Sequence, residues 1–134
     1  MAPQLTQGGT ETVLVVEDES VIRNLVRNVL CGHGYTVFEA AAGEKAEVIF
    51  NAHSREIDLV VTDVVLPGVS GRELVDRLGA ARPGISALYM SGYSRDVIDT
   101  HGVLHAGIAF LQKPFTPQTL LVKVREILDA RRRA

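Results

Sequence analysis

The sequence of 134 residues predicts one α/β domain, in which five parallel strands alternate with helices that cover both faces of the sheet. Two observations support this fold class. Five short apolar runs of strand length recur along the chain, and the segments between them have the periodicity of amphipathic helices. Strands that alternate with helices form a parallel sheet, because each connection is a right-handed crossover.

Apolar runs predict the strands, and apolar spacing predicts the first helix. Within residues 20–31 the apolar residues recur on one helical face, and Cys31 at the end of this segment is expected to be a small core residue. The predicted strands are Val13–Val16, Thr36–Phe38, Ile57–Val61, Ile85–Met90 and Ile108–Leu111. The apolar face of the first helix is Ile22, Leu25, Val26, Val29 and Leu30. Five strands joined by helices fit the doubly wound (βα)5 order 2-1-3-4-5, which is flavodoxin-like.

Two later helices carry start signals. Ser70, with Glu73 three residues further on, predicts a capping box. Thr116 followed by Pro117 predicts an N-cap with proline at the first helical position. The apolar face of this last helix is Leu120, Leu121, Val124, Ile127 and Leu128.

Composition excludes several classes of protein. With 14 basic and 16 acidic residues the net charge is −2, so no overall field attracts nucleic acid, and no apolar run is long enough to span a membrane. We therefore expect a cytoplasmic domain without direct nucleic-acid or membrane contact. Residues 1–11 lack a secretory signal and predict a flexible leader or linker, residues 12–131 the folded domain, and residues 132–134 a basic tail.

Acidic residues follow two strands that are neighbours in the predicted sheet. Glu17, Asp18 and Glu19 come directly after the first strand, and Asp63 follows the third. The crevice between these two strands is the switch point at which such folds bind ligands. Clustered carboxylates need a cation, and oxygen ligands suit Mg²⁺. For Glu17–Glu19 alone, a favourable charge at the start of the following helix is an equal alternative.

Two further strand ends carry groups that bind phosphate. Ser91 ends the fourth predicted strand in "LYMSGYS", and Lys113 follows the fifth in "FLQKPF". A hydroxyl donor, an ammonium, a metal and a carboxylate nucleophile at one edge of the sheet would together form an anion site.

These motifs resemble the receiver domains of two-component response regulators. The resemblance covers residues 12–128 and rests on "VLVVEDE", "DLVVTDVVLPGVSGREL", "LYMSGY" and "FLQKPF". It implies that Asp63 accepts a phosphoryl group from the phosphohistidine of a histidine kinase or a histidine phosphotransfer domain. It further implies the following roles: Asp18, Asp63 and the Val65 carbonyl bind Mg²⁺, or Mn²⁺ in its place; Glu17 acts through water; Ser91 and Lys113 bind the phosphoryl oxygens; Phe110 is an aromatic switch; and the Lys113–Pro114 bond is cis.

The resemblance also implies an output surface and partners. A change at Ser91 and Phe110 would alter the face formed by the fourth helix, fifth strand and fifth helix, which a downstream protein would bind. A kinase would contact exposed side chains of the first helix, with Arg23, Asn24 and Arg27 as candidates. Homodimer formation on phosphorylation stays open. Only a few basic residues follow the last helix, so we expect no DNA-binding output domain.

The leader "GGTETVLVVEDES" and the runs "LYMSGY" and "FLQKPFTP" look most like the C-terminal receiver of a hybrid sensor histidine kinase. A single-domain response regulator is the alternative origin. Val65 has no polar group to activate water, and Tyr93 is bulky enough to shield the phosphoryl group, which together predict slow loss of the phosphoryl group. We expect a phosphoacceptor that is not a turnover enzyme by itself.

Other functions fit the sequence less well. The main alternative is a degenerate receiver that docks proteins without phosphorylation, and intact Asp18, Asp63 and Lys113 argue against it. A phosphatase of the haloacid dehalogenase type needs an acid where this chain has Val65. A flavodoxin-like redox carrier needs a phosphate-binding loop where acids follow the first strand. His101 and His105 have the spacing of a helical zinc site but no third ligand nearby.

Overall fold

A computed structural model of the protein describes residues 8–92 and 109–133. The strands are β1 (Thr12–Val16), β2 (Thr36–Ala40), β3 (Ile57–Asp63), β4 (Ser86–Ser91) and β5 (Phe110–Gln112). The described helices are α1 (Ser20–Cys31), α2 (Gly43–His53), α3 (Gly71–Ala81) and α4 (Pro117–Arg133). The helix predicted between β4 and β5 falls on residues 93–108, outside the described residues, as do Tyr93, His101 and His105. The helix labelled α4 is therefore the fifth predicted helix.

The sheet confirms the predicted topology. Its strand order is β2-β1-β3-β4-β5, and every neighbouring pair is parallel. Val16 at the end of β1 is in register with Ala40 of β2 and Thr62 of β3. The carboxyl ends of β1 and β3 therefore lie side by side at the switch point.

Two apolar clusters cover the two faces of the sheet. On one face Val13 and Val15 pack with α1 and α4, through residues such as Leu30 and Val124. On the other face Leu14 and Val16 pack with α2 and α3, through Phe50, Leu74 and Leu78. Alternate residues of β1 thus point to opposite clusters, which is why its apolar run is continuous rather than alternating with polar residues.

The prediction that Cys31 is a small core residue is wrong, because Cys31 is exposed. Val26 and Leu30 are the buried residues of α1. Since successive helical residues are about 100° apart, Cys31 is turned away from the face that carries Leu30. Leu25, which the apolar spacing assigns to the same face, is 42% exposed because it lies at the flank of that face.

The start signals of both later helices are confirmed. Ser70 Oγ accepts a hydrogen bond from the Glu73 amide (3.1 Å), and the Glu73 side chain accepts one from the Ser70 amide (3.3 Å). Thr116 Oγ1 accepts a hydrogen bond from the Thr119 amide at 3.1 Å, as an N-cap does. The helix that follows, α4, continues to Arg133 and so includes part of the segment that the sequence assigns to a tail.

Element boundaries differ from the predictions by one or two residues, and the largest difference concerns the leader. Residues 8–11 are hydrogen-bonded to the body of the domain. The Gly9 amide donates to the His33 carbonyl at 3.1 Å, and Arg125 of α4 donates to the Gly8 carbonyl at 3.0 Å and to the Glu11 carboxylate at 2.7 Å. The packed structure therefore begins before Thr12. Among the helices that the structure describes, none is long and apolar enough to cross a membrane.

Candidate functional site

Three acidic residues meet where β1 and β3 end. Glu17 is fully buried, Asp63 is 8% exposed, and Asp18 is exposed. One carboxylate oxygen from each of the three lies within 4.8 Å of the other two. The parallel register brings Glu17 beside Asp63, because Val16 and Thr62, the residues before them, are paired. The sequence prediction that these acids share one site is correct in its geometry.

Lys113 enters this acidic cluster from the segment after β5. Its Nζ donates to Glu17 Oε1 at 2.8 Å and to Asp63 Oδ2 at 2.9 Å. Its backbone amide donates to the Ser91 carbonyl at 2.7 Å, which attaches this segment to the end of β4. The Lys113–Pro114 peptide bond is cis, as the resemblance implies. One ammonium group therefore bridges the two most buried carboxylates.

The cluster is not neutral, since it contains three acidic groups and one ammonium, which contacts Glu17 and Asp63. Burial raises the pKa of Glu17, and the hydrogen bond from Lys113 opposes this shift. Burial alone would lower the pKa of Lys113, but the hydrogen bonds to Glu17 and Asp63 outweigh it and raise the pKa, so the side chain stays cationic. The remaining negative charge and the set of hard oxygen donors suit a divalent cation such as Mg²⁺.

The loop after β3 holds Asp63 in place and itself faces solvent. Asp63 Oδ1 accepts from the Val65 amide at 3.4 Å, and the Val64 amide donates to the Met90 carbonyl of β4 at 2.8 Å. Val65 itself is 60% exposed. The Asp63 carboxylate thus lies at a strand end that the neighbouring strand fixes, beside a loop that faces solvent.

Gly71, the first residue of α3, is part of this arrangement, and the sequence analysis did not identify it. A Cβ atom at position 71 would lie 2.1 Å from the Asp63 carbonyl oxygen. The Gly71 amide donates to the Val64 carbonyl at 2.9 Å. The signal was present in "VSGREL", where glycine, a poor helix former, stands at the first helical position instead of a residue with higher propensity. Only glycine allows α3 to approach Asp63 this closely.

Arg23 also contacts the site, although the resemblance to receiver domains implies that it faces a partner. Its Nη1 donates to the Glu17 carbonyl at 2.7 Å, and its side chain is only 20% exposed. Asn24 is exposed and the Arg27 side chain is 42% exposed, as expected for residues that face solvent. No spacing in the sequence indicates the contact between Arg23 and Glu17, because it depends on how α1 leaves β1.

The remaining predicted site residues lie on β4 and β5. Ser91 is 2% exposed at the end of β4, in register with Gln112. Phe110 is half-buried and packs against the cluster of Val64 and Tyr89. Ser91 and Phe110 therefore occupy strand positions next to the loop that follows Asp63 and the segment that carries Lys113.

Comparison with known proteins identifies one family. The family model of the response regulator receiver domain matches residues 13–125. The sensor kinase CckA of Brucella abortus (strain 2308) is 39% identical over 121 residues, which are 90% of this chain and 13% of CckA. The aerobic respiration control protein ArcA of Escherichia coli (strain K12) is 31% identical over 120 residues, 90% of this chain and 49% of ArcA. The chain thus spans about half or less of these curated relatives.

Two similar solved structures agree with this family assignment. The receiver domain of the hybrid histidine kinase CckA has 32% sequence identity and a TM-score of 0.75, covering 87% of this chain and 98% of that domain. The Vibrio cholerae chemotaxis protein CheY4 has 26% identity and a TM-score of 0.79, covering 89% of this chain and 99% of that protein.

Proposed function

The chain belongs to the response regulator receiver domain family of two-component signalling, and on this basis we propose that Asp63 is its phosphoacceptor. An Asp63 carboxylate oxygen attacks the phosphorus of a phosphohistidine on a histidine kinase or a histidine phosphotransfer domain. The new O–P bond forms as the P–N bond breaks, and the electron pair of that bond stays on the departing imidazole nitrogen. The product is an aspartyl phosphate.

The observation that carries this proposal is the Lys113 ammonium, held within 2.9 Å of Asp63 and 2.8 Å of Glu17. Phosphoryl transfer spreads negative charge over three oxygens, and a positioned cation stabilises that charge. Lys113 is already beside the nucleophile, so it need not reorganise when the phosphoryl group arrives. The buried Ser91 hydroxyl would donate to a second phosphoryl oxygen.

The acidic cluster fits a Mg²⁺ ion, or Mn²⁺ in its place. Asp18, Asp63 and the Val65 carbonyl would hold it directly, and Glu17 would act through water. The ion would supply charge neutralisation at the transferring phosphoryl group. The fit rests on the proximity of the three carboxylates and on their incomplete neutralisation by Lys113.

Receiver domains interact with histidine kinases and with downstream effectors, and both partners can be proposed here. A kinase or phosphotransfer domain would contact α1, where Asn24 and Arg27 are available. A downstream protein would bind the face formed by β5, α4 and the helix predicted before β5. There a shift of Ser91 toward the phosphoryl group would be followed by rotation of Phe110. Phosphorylation would also be the trigger of any homodimer.

We further propose a cytoplasmic domain that belongs to a hybrid sensor histidine kinase, which the similarity to CckA supports. A single-domain regulator is the alternative, and the reading frame on either side of the chain distinguishes the two. The domain would accept one phosphoryl group and would not be a turnover enzyme by itself. Because the exposed Val65 side chain cannot activate water, the aspartyl phosphate should persist. A half-life of seconds would contradict this.

The decisive experiment is intact mass after incubation with acetyl phosphate and Mg²⁺. We expect one added phosphoryl group on the wild type, none on Asp63→Asn, and none in the presence of a chelator. Asp76→Asn is the matched control, because Asp76 is a solvent-exposed acid on α3 whose removal should leave the mass gain unchanged.

The outcome separates the two functional hypotheses. If the folded wild type gains no mass, even from a phosphohistidine donor, the chain is a docking module that works without phosphorylation. If the Asp63→Asn variant gains the same mass as the wild type, another residue is the acceptor.

A further inference from the structure

We propose that Arg23 is a positioning residue of the acidic site, which holds the turn between β1 and α1 so that Glu17 and Asp18 face Asp63. The inference deepens the proposed function and rests on it, because it concerns the same acidic cluster. It assigns to Arg23 a role inside the domain in place of the partner contact that the resemblance to receiver domains implies.

The Arg23 side chain holds the turn that presents Glu17 and Asp18, at the point where the Arg23 backbone amide forms the first hydrogen bond of α1. The Arg23 guanidinium donates from Nη1 to the Glu17 carbonyl at 2.7 Å, and the Arg23 backbone amide donates to the Glu19 carbonyl at 2.9 Å. Asp18 lies between these two carbonyls. A charge-assisted bond of this length is stronger than a neutral one, so it restricts the peptide plane between Glu17 and Asp18.

The amide and the carboxylate of Glu17 have other hydrogen-bond partners, and the carbonyl of Glu17 is the group that Arg23 binds. The Glu17 amide donates to the Ala40 carbonyl of β2 at 3.1 Å, which fixes the strand side of the residue. Its carboxylate accepts from Lys113 and from the Glu19 amide at 3.1 Å. Without Arg23, the peptide after Glu17 would lose its only hydrogen bond from a charged donor in the described part of the chain.

Glu39 orients the Arg23 side chain from β2. Glu39 Oε1 lies 3.5 Å from Arg23 Nε, and Glu39 Oε2 lies 3.3 Å from Arg27 Nε. Both arginines therefore pair with the same carboxylate from the same helix, but the contact with Glu17 belongs to Arg23. Arg27 is a matched control that the chain itself supplies, with equal charge and a shared partner.

The consequence concerns cation binding more than folding. A residue that orients metal ligands from outside the coordination shell changes affinity by about 10- to 100-fold when it is removed. Loss of Arg23 would let the Glu17–Asp18 peptide rotate and would move the exposed Asp18 carboxylate away from Asp63. The acids would still be present, so binding would weaken rather than disappear.

The experiment measures the dissociation constant of Mn²⁺ from the signal of the free ion in electron paramagnetic resonance, with no phosphodonor present. The proteins are the wild type, Arg23→Ala, Arg23→Lys and Arg27→Ala, and a thermal melt of each checks the fold. We expect Arg23→Ala to raise the dissociation constant about tenfold and Arg27→Ala to change it by less than about twofold. Arg23→Lys should recover part of the loss, since lysine keeps the charge and can donate to the Glu17 carbonyl but lacks the planar guanidinium that also pairs with Glu39.

The initial rate of phosphorylation by acetyl phosphate at limiting Mg²⁺ is the second measurement, and it should follow the same order. Equal Mn²⁺ affinity of Arg23→Ala and wild type, or equal losses in Arg23→Ala and Arg27→Ala, would overturn the inference. If Arg23→Ala melts early, the affinities are measured at a temperature at which every variant is folded, and an Arg23→Ala affinity equal to that of the wild type there would overturn the inference. If the wild type binds Mn²⁺ but is never phosphorylated, the proposed function fails and the positioning role stands.

Discussion

Two cation–carboxylate clusters lie at opposite ends of strand β1, which Glu11 precedes and Glu17 follows. The Lys113 cluster consists of Glu17, Asp63 and Lys113, and the Arg125 cluster consists of Glu11, Arg125 and Asp129. In each cluster one cation bridges two acids, at 2.8 and 2.9 Å for Lys113 and at 2.7 and 3.0 Å for Arg125. The two cations are equally buried, with side chains 13% exposed. Distance and burial therefore do not distinguish them.

The two clusters differ in how many hydrogen bonds the cation makes and in how much of the acidic charge it neutralises. Arg125 donates to both oxygens of Glu11, to the Gly8 carbonyl and to the Tyr35 hydroxyl, besides its bond to Asp129. Lys113 is a point charge that contacts Glu17 and Asp63, while the neighbouring Asp18 has no ion-pair partner among the described residues. The Arg125 guanidinium, with its donors occupied, joins residues 8–11 to helix α4. An incompletely neutralised acidic cluster, in contrast, keeps negative charge that can attract a further cation.

Replacing each cation in turn is the most direct test of this comparison. Lys113→Ala should slow phosphorylation by acetyl phosphate about 100- to 1,000-fold, because a positioned group that stabilises developing charge is lost. Arg125→Ala should keep the wild-type rate within about twofold, since Arg125 lies outside the site. Initial rates from intact mass, at a temperature where both variants are folded, give the ratio. Similar slowing in both variants would contradict the prediction that only the Lys113 cluster acts in phosphorylation.

The converse experiment measures stability. Arg125→Ala should lower the free energy of unfolding by about 2 to 3 kcal/mol, because it leaves Glu11 partly buried without its partner; the partial exposure of the pair keeps the loss below that of a fully buried one. Arg125→Lys should recover less than half, since one ammonium cannot bind both Glu11 oxygens. Urea unfolding at neutral pH provides the values. A loss below about 0.5 kcal/mol would mean that residues 8–11 are not held by this cluster.

The Lys113 cluster also depends on the close approach of the α3 backbone to Asp63. Gly71→Ala should destabilise the domain by about 1 to 3 kcal/mol, because the added Cβ meets the Asp63 carbonyl. Gly79→Ala is the matched control within α3, where nothing lies within 4 Å of an added Cβ. It should stabilise the helix by about 0.5 to 1 kcal/mol. Urea unfolding measures the free energy of unfolding of both variants. A change of the same sign in both would contradict the prediction.

The two clusters also differ in how far the sequence predicts them. Strand ends predict Glu17, Asp63 and Lys113, because the carboxyl edge of a parallel sheet collects whatever follows each strand. No comparable rule relates Glu11 to Arg125, which lie 114 residues apart, so residues 8–11 are assigned to a leader that they only partly form. Cys31 is predicted to be buried because apolar composition was given more weight than its angle on the helix. Contacts of Arg23 and Gly71 depend on tertiary packing, which periodicity does not describe.

The smallest expected effect is the acid sensitivity of the Arg125 cluster. The hydrogen bond from Arg125 lowers the pKa of Glu11 from its ordinary value of 4.5, and burial only partly opposes it. A depressed pKa in the folded state stabilises the domain above the unfolded value, and this contribution disappears as the pH falls through the folded value. The advantage of the wild type over Glu11→Gln should therefore be full near pH 6 and should shrink below about pH 4.5, by less than about 1 kcal/mol in total. Urea unfolding across this range measures it, with Glu126→Gln, an exposed acid of α4, as the control. A difference that stays constant down to about pH 3 would show that Glu11 acts through packing and not through its charge.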